Sequence, residues 1–291
     1  MRSDDRSRHA NPVNLTRREA LAAGLAAAGA LALGRTSTAA DGSTPGPYGP
    51  FKMGLQSYSL RGYTTGGKAD VDKALQVTKD LGLHYWESYV AHIPPDPTRA
   101  DEFKKRTADR GVSVIGYGVI HFGKDHDANR KMFEFAKAMG LGYLSADPDP
   151  DAFDGLDKLV EEYGVAVGIH NHGPGHRYDK IDTIAAAIKD HHPKIGCCVD
   201  TGHFLRSRED PVRAVEVFGK RVYGVHLKDV KDATKFTVLG QGDLRTVDLL
   251  KALAKNRYDY CLAVEYEEHE DDPKGEIREC LAAARKAVAA I

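Results

Sequence analysis

The chain has 291 residues with 41 basic against 42 acidic side chains, and this even balance offers no electrostatic footprint for a nucleic-acid partner. Apolar residues make up 42%, ordinary for a soluble globular protein and ample for a large core. The four cysteines, at 197, 198, 261 and 280, include an adjacent pair, and three of them fall in strand-like runs, which argues for buried thiols over a disulfide framework.

Residues 1–40 read as a signal peptide. Thr16-Arg17-Arg18-Glu19 precedes an Ala/Gly/Leu run to Gly34, and Ser37-Thr38-Ala39-Ala40 supplies the small residues of a cleavage point. Paired arginines before a weakly apolar run match a twin-arginine signal, which carries folded proteins to the periplasm. The run is shorter than the ~20 residues a spanning helix needs, and no other segment could cross a membrane. Residues 41–50, with their Gly, Ser, Thr and Pro, read as a linker.

From 51 to 291 one unit repeats. Candidate strands fall at 53–57, 83–88, 112–119, 141–146, 165–170, 195–200, 222–226 and 260–265. Helical patterns lie between and after them, at 69–81, 97–110, 127–139, 151–163, 180–191, 211–219, 246–255 and 273–290. Gly82, Gly111, Gly140 and Gly164 each stop a helix just before a strand, where a left-handed residue is wanted. The strands are continuous apolar runs, as in a parallel sheet covered by helices. Eight such units predict a single (β/α)8 TIM barrel. An open doubly wound sheet is the competitor, but no Gly-x-Gly-x-x-Gly follows the first strand.

Four of these strands end in side chains that bind metals: His170 and His172, Asp200 with His203, His226 with Lys228, and Glu265 with Glu267. In a parallel barrel these ends share one mouth, so His170, Asp200, His226 and Glu265 are the candidate ligands of one divalent cation. Asp200 has a plainer alternative, since it could cap the following helix. Of His170 and His172, one would bind metal while the other meets substrate, and His170 is the favoured ligand. Lys228 faces the same side as His226 and is a candidate for an anionic or enolate oxygen. Glu265, buried along its stem, needs a partner or a metal. Glu87 and His121 also fall at the mouth, where each could orient substrate or move protons. Trp86 and Tyr89 are candidates for a sugar-facing surface, although aromatic residues there more often belong to core or rim. A mixed nitrogen and oxygen set suits Mn, Zn, Fe or Co. Such a cation can stabilise an enediolate when a base, Glu265 or a neighbouring His or Glu, removes an α-proton.

These residues resemble the sugar phosphate isomerase/epimerase family, the xylose isomerase-like TIM barrels. The resemblance covers nearly all of 51–291. It includes Met53-Gly-Leu-Gln-Ser-Tyr-Ser-Leu-Arg61 and Gly240-Gln-Gly-Asp243, and rests most on Asp200-Thr-Gly-His203, Val-His226-Leu-Lys-Asp229 and Val-Glu265-Tyr-Glu267 in that order. It implies that Asp200, His226 and Glu265 are three of four metal ligands and that His203 contacts substrate. Two positions depart from the family's ketose 3-epimerases. His170 stands where they carry a glutamate that shares proton transfer, and Lys228-Asp229 replaces a Glu and an Arg. The reading is therefore an exported, metal-dependent isomerase or epimerase of a small carbohydrate. Its alternatives are a lyase on a keto sugar or oxidised glycoside, and a sugar-binding barrel without catalysis. The DNA-repair endonuclease branch of the fold would need a basic groove that this chain lacks.

Overall fold

The apolar runs become eight strands: β1 (Lys52–Gln56), β2 (Tyr85–Ser88), β3 (Ser113–Phe122), β4 (Tyr143–Pro148), β5 (Ala166–His170), β6 (Ile195–Asp200), β7 (Val222–Leu227) and β8 (Cys261–Val264). The structure is a computed structural model that describes residues 46–291. The signal-peptide reading and the first half of the linker lie outside the described residues. The strands close in the order β1-β8-β7-β6-β5-β4-β3-β2, every neighbouring pair parallel. Parallel neighbours need a crossover between them, and helices supply it: α1 (Val71–Asp80), α2 (Ala100–Ala108), α3 (His126–Met139), α4 (Phe153–Tyr163), α5 (Ile181–Ile188), α6 (Thr201–Arg206), α7 (Pro211–Phe218) and α8 (Thr246–Lys255), while α9 (Lys274–Val288) follows β8. Residues in β5 to β8 are buried at every position, because one face meets the helices and the other fills the barrel.

The sequence expectations hold for every barrel strand, with shifts at the ends. β3 runs on to Phe122, pairing Ile120, His121 and Phe122 with the end of β4 after a register shift. The helical pattern from 97 opens as a 3-10 turn at Pro97–Arg99 before α2, and the one from 151 as a 3-10 turn at Pro150–Ala152 before α4. Helix α6 has no helical pattern in the sequence and was anticipated only by the capping alternative for Asp200; two small antiparallel hairpins, Thr64–Thr65 with Lys68–Ala69 and Asp229–Lys231 with Lys235–Thr237, are additional. Gly140 ends α3 with φ 75°, and an added Cβ there would meet nothing within 4 Å, so backbone conformation and not space calls for glycine.

Inside the barrel the reason for glycine is reversed. A Cβ on Gly116 would lie 2.2 Å from the Tyr143 ring and one on Gly224 2.8 Å from it. Tyr143 therefore reaches across the barrel between two strands that lack side chains at its level. Its hydroxyl donates to Glu87, which gives the mouth above it a buried polar floor. Among the described residues no helix is long and apolar enough to cross a membrane.

Candidate metal centre

Four of the expected residues meet at the carboxyl ends of their strands. His170, Asp200, His226 and Glu265 each offer a ligand atom within 4.8 Å of every other, and all four are buried. His170 Nε2 and His226 Nδ1 face each other at 3.1 Å. Asp200 Oδ2 lies 3.3 Å from His170 Nε2 and 3.6 Å from His226 Nδ1, and Glu265 Oε2 lies 3.0 Å from His226 Nδ1.

Asp200 performs both roles that its sequence context allowed. Its Oδ1 accepts from the backbone N–H of His203 at 2.8 Å and so caps α6. That bond aims Oδ2 into the centre. Around it the strand ends are cross-braced. The Asn171 amide donates to the Asp200 carbonyl and accepts from its N–H, both at 2.8 Å. Thr201 accepts from the Lys228 N–H at 2.9 Å and donates to the Lys228 carbonyl at 2.6 Å.

The donor set fits a divalent cation. Asp200 Oδ2 and Glu265 Oε2 are buried without a hydrogen-bond partner, although Lys228 Nζ lies 2.9 Å from each. This ammonium is close enough for charge pairing but not aligned for hydrogen bonding. Two imidazole nitrogens at 3.1 Å likewise need a proton or a cation between them. Two nitrogens and two oxygens suit Mn, Zn, Fe or Co better than Mg or Ca.

Charge follows the same geometry. Burial, the largest single influence, would raise the Asp200 and Glu265 carboxyls, but the Lys228 ammonium and the surrounding imidazoles together outweigh it and hold both below the usual carboxylate range. Lys228, opposed by burial, is pushed up by Asp200, Glu265 and Glu267 and stays charged. Burial lowers His203 to about 4 and His172 to about 3, the latter helped by His170, His176 and His203, so both rings are neutral at pH 7.

A cavity of about 270 Å³ opens above the centre. His170, His172, His203, Lys228, Glu265 and Glu267 line it, as do Gln56, Tyr58 and Tyr89. Gln56 and Tyr58 were not singled out from the sequence, although both lie in the Met53–Arg61 stretch that carried part of the resemblance.

Three expected residues are placed differently. Glu87 is fully buried beneath the cavity, not in it. Its Oε1 is 2.8 Å from His226 Nε2 and it accepts from Gln56, Tyr143 and Ser145, so it orients the imidazole of His226. Trp86 faces away from the mouth, because neighbours on a strand alternate and Glu87 takes the inward side. It is fully buried and its Nε1 donates to Thr78 of α1 at 2.8 Å. His121 is carried past the cavity by the extension of β3. Its side chain is 62% exposed, with Nδ1 3.0 Å from the Asp147 carbonyl and Nε2 3.2 Å from Asp149.

Asp229 is a brace. Its carboxylate accepts from the N–H groups of Val230, Gly240, Gly242 and Leu244 at 2.8–3.0 Å, which fixes the Gly240-Gln-Gly-Asp243 loop. All four cysteines are buried free thiols.

Comparison with known proteins places this geometry. An inosose dehydratase of Clostridium beijerinckii is 27% identical over 138 residues, 40% of this chain and 46% of that protein. The chain spans about half the length of the curated relatives it matches. The crystal structure of an uncharacterised protein from Parabacteroides distasonis is 26% identical, with 81% of this chain and 99% of that one covered at a TM-score of 0.63. A D-psicose 3-epimerase from Clostridium cellulolyticum is 15% identical, covers 81% of this chain and 98% of that one, and shares the fold at a TM-score of 0.64. The sequence pattern of the xylose isomerase-like TIM barrels matches residues 75–287, from α1 to α9, and with eight parallel strands closed around a polar mouth the chain belongs to that family.

Proposed function

We propose that this chain is a divalent-metal-dependent enzyme of small carbohydrates. In this reading it removes the proton beside a sugar ketone and expels the hydroxyl on the next carbon, a lyase of keto sugars. One observation carries the choice: the carboxylates lining the cavity, Glu265 and Glu267, both come from the β8 end, while the β5 and β6 side presents imidazoles. His172 and His203, on that side, are neutral imidazoles and not carboxylates. A symmetric exchange between two carboxylates is not available, whereas one-sided proton removal is. The curated relatives, inosose dehydratases and a 3-oxo-isoapionate decarboxylase, support the emphasis on a ketone and a breaking bond.

His170, Asp200, His226 and Glu265 would hold the cation. When bound, it supplies Lewis-acid stabilisation of the negative charge that develops on sugar oxygens. The remaining work falls to the chain. Glu265 accepts the α-proton, and the electron pair of that C–H bond forms the new double bond. The hydroxyl on the next carbon then leaves with the electron pair of its C–O bond, hydrogen-bonded by His203 or His172, and takes the proton that Glu265 removed, departing as water and returning Glu265 to its carboxylate. Lys228 holds Glu265 and Glu267 in place and can meet the oxyanion. Glu87 keeps His226 aligned.

Isomerisation or epimerisation, the first expectation from sequence, is the second reading. It is favoured by His170, which reaches the cavity from β5, three strands round the barrel from Glu265. Export by the twin-arginine signal of residues 1–40 belongs to the proposal too, and would bring an unphosphorylated sugar to the site. The test is to incubate the metal-loaded chain with keto sugars in deuterated water. Loss of water from the substrate supports the lyase, and deuterium uptake without mass loss supports the isomerase. Glu265→Gln should abolish either. Absence of both reactions across the panel would leave the non-catalytic binding barrel.

A further inference from the structure

A second group of metal-binding side chains is left unused by the centre above. Asp147 at the end of β4, His172 just beyond β5 and His176 in the loop before α5 each offer a ligand atom within 4.8 Å of the others. They share no residue with the first centre.

Their neighbours do not satisfy them. Asp147 Oδ1 and His172 Nδ1 are buried and lack any hydrogen-bond partner. The approach of His176 Nε2 to Asp147 Oδ2, 3.8 Å, is too long for a hydrogen bond. Arg177, the cation next in sequence, is turned to Asp149 at 2.7 Å, and His121 is spent on the Asp147 backbone carbonyl. The His172 and His176 rings meanwhile stand with centroids 4.2 Å apart, tilted by 35°. An unpaired buried carboxylate oxygen and an unpaired imidazole nitrogen each cost free energy, and a native fold normally satisfies both. A single cation among the three side chains would do so.

We propose that Asp147, His172 and His176 form a second divalent-metal site at the rim of the cavity. Two imidazoles and one carboxylate suit a first-row transition ion such as Zn²⁺ or Co²⁺ and leave coordination positions open. His172 lines the same cavity as His170 and Glu265, so the open positions suit oxygen ligands of the molecule bound there, such as neighbouring hydroxyls of a sugar. The site thus adds a grip on substrate that the first centre does not supply, and it stands whether or not the reaction assigned above is right.

The test is metal stoichiometry on the full chain, stripped with chelator, loaded with Zn²⁺ and desalted before elemental analysis. About two ions per chain are expected, falling to about one in Asp147→Asn, in His176→Ala and in the Asp200→Ala/His226→Ala double variant, because each variant removes ligands of one site only. His176 is exposed, so its truncation leaves the core intact, and circular dichroism of each variant verifies the fold. One ion in the parent, kept in Asp147→Asn and His176→Ala but lost in the double variant, would overturn the second site and leave the first. One ion with the opposite pattern would support the rim site and sink the first. No ion in the folded parent would overturn both.

Discussion

At the scale of single residues, the polar floor separates positioning from contact. Glu87 touches no part of the cavity, yet four side chains donate to it or pair with it. Glu87→Gln keeps the shape and removes the charge that orients His226, so affinity for the cation should fall by roughly 10–100-fold, measured by titration calorimetry. Unchanged affinity would mean that His226 is fixed by packing alone. The outward turn of Trp86 is equally testable. Trp86→Phe should cost about 2 kcal/mol in urea denaturation, from a lost hydrogen bond and a partial cavity. KM should not move; an increase would return Trp86 to the substrate surface. Asp200 explains why metal ligand and helix cap could not be separated on paper: one oxygen serves each use.

At the scale of elements, the loop after β2 carries a built-in acid sensitivity. His92 lies against Trp86 and Tyr89, with Nδ1 3.0 Å from Ser57 Oγ and Nε2 buried without a partner. Burial lowers it from 6.5 to about 4, so the unfolded chain takes up this proton first as pH falls. Its contribution is therefore intact above pH 6.5 and is lost between there and pH 4, an amount of about 3 kcal/mol. Denaturation at pH 7 and pH 4 should reveal the loss, and His92→Gln should shrink it by that amount. If the variant titrates like the parent, His92 is not its source. The element boundaries also show where periodicity stops being informative. α6 is only six residues long and follows Asp200 directly, so no amphipathic repeat could announce it, and its signal was the cap itself.

For the whole molecule, the centre joins four strands of a closed barrel. A cation there bridges β5, β6, β7 and β8, which are neighbours in the sheet but separated by helices in sequence. Binding only to the folded form at about 100 times Kd stabilises by about 3 kcal/mol, which for a barrel of this size raises Tm by roughly 5–10 °C. Thermal melts with Mn²⁺ or Co²⁺ against chelator measure it, and Asp200→Ala should abolish most of the shift. A parent whose melting ignores every divalent ion would refute the cation site.

The sequence by itself determined the barrel and its mouth. Eight apolar runs, left-handed glycines such as Gly140 and a metal-binding residue at each of four strand ends are local signals, and parallel closure needs little more. Tertiary structure alone decided which polar residues face the cavity. Glu87, a mouth candidate by its place at a strand end, lies one level below the cavity, where Tyr143, crossing the barrel through the gaps at Gly116 and Gly224, donates to it. His121, a mouth candidate on the same grounds, stands outside, because β3 runs on past a register shift against β4 and carries it beyond the rim. The Asp147, His172 and His176 group joins β4 to the loop after β5, and only folding brings these three together. Depth along the barrel axis and register between strands are properties of pairs of segments, and no single segment encodes them.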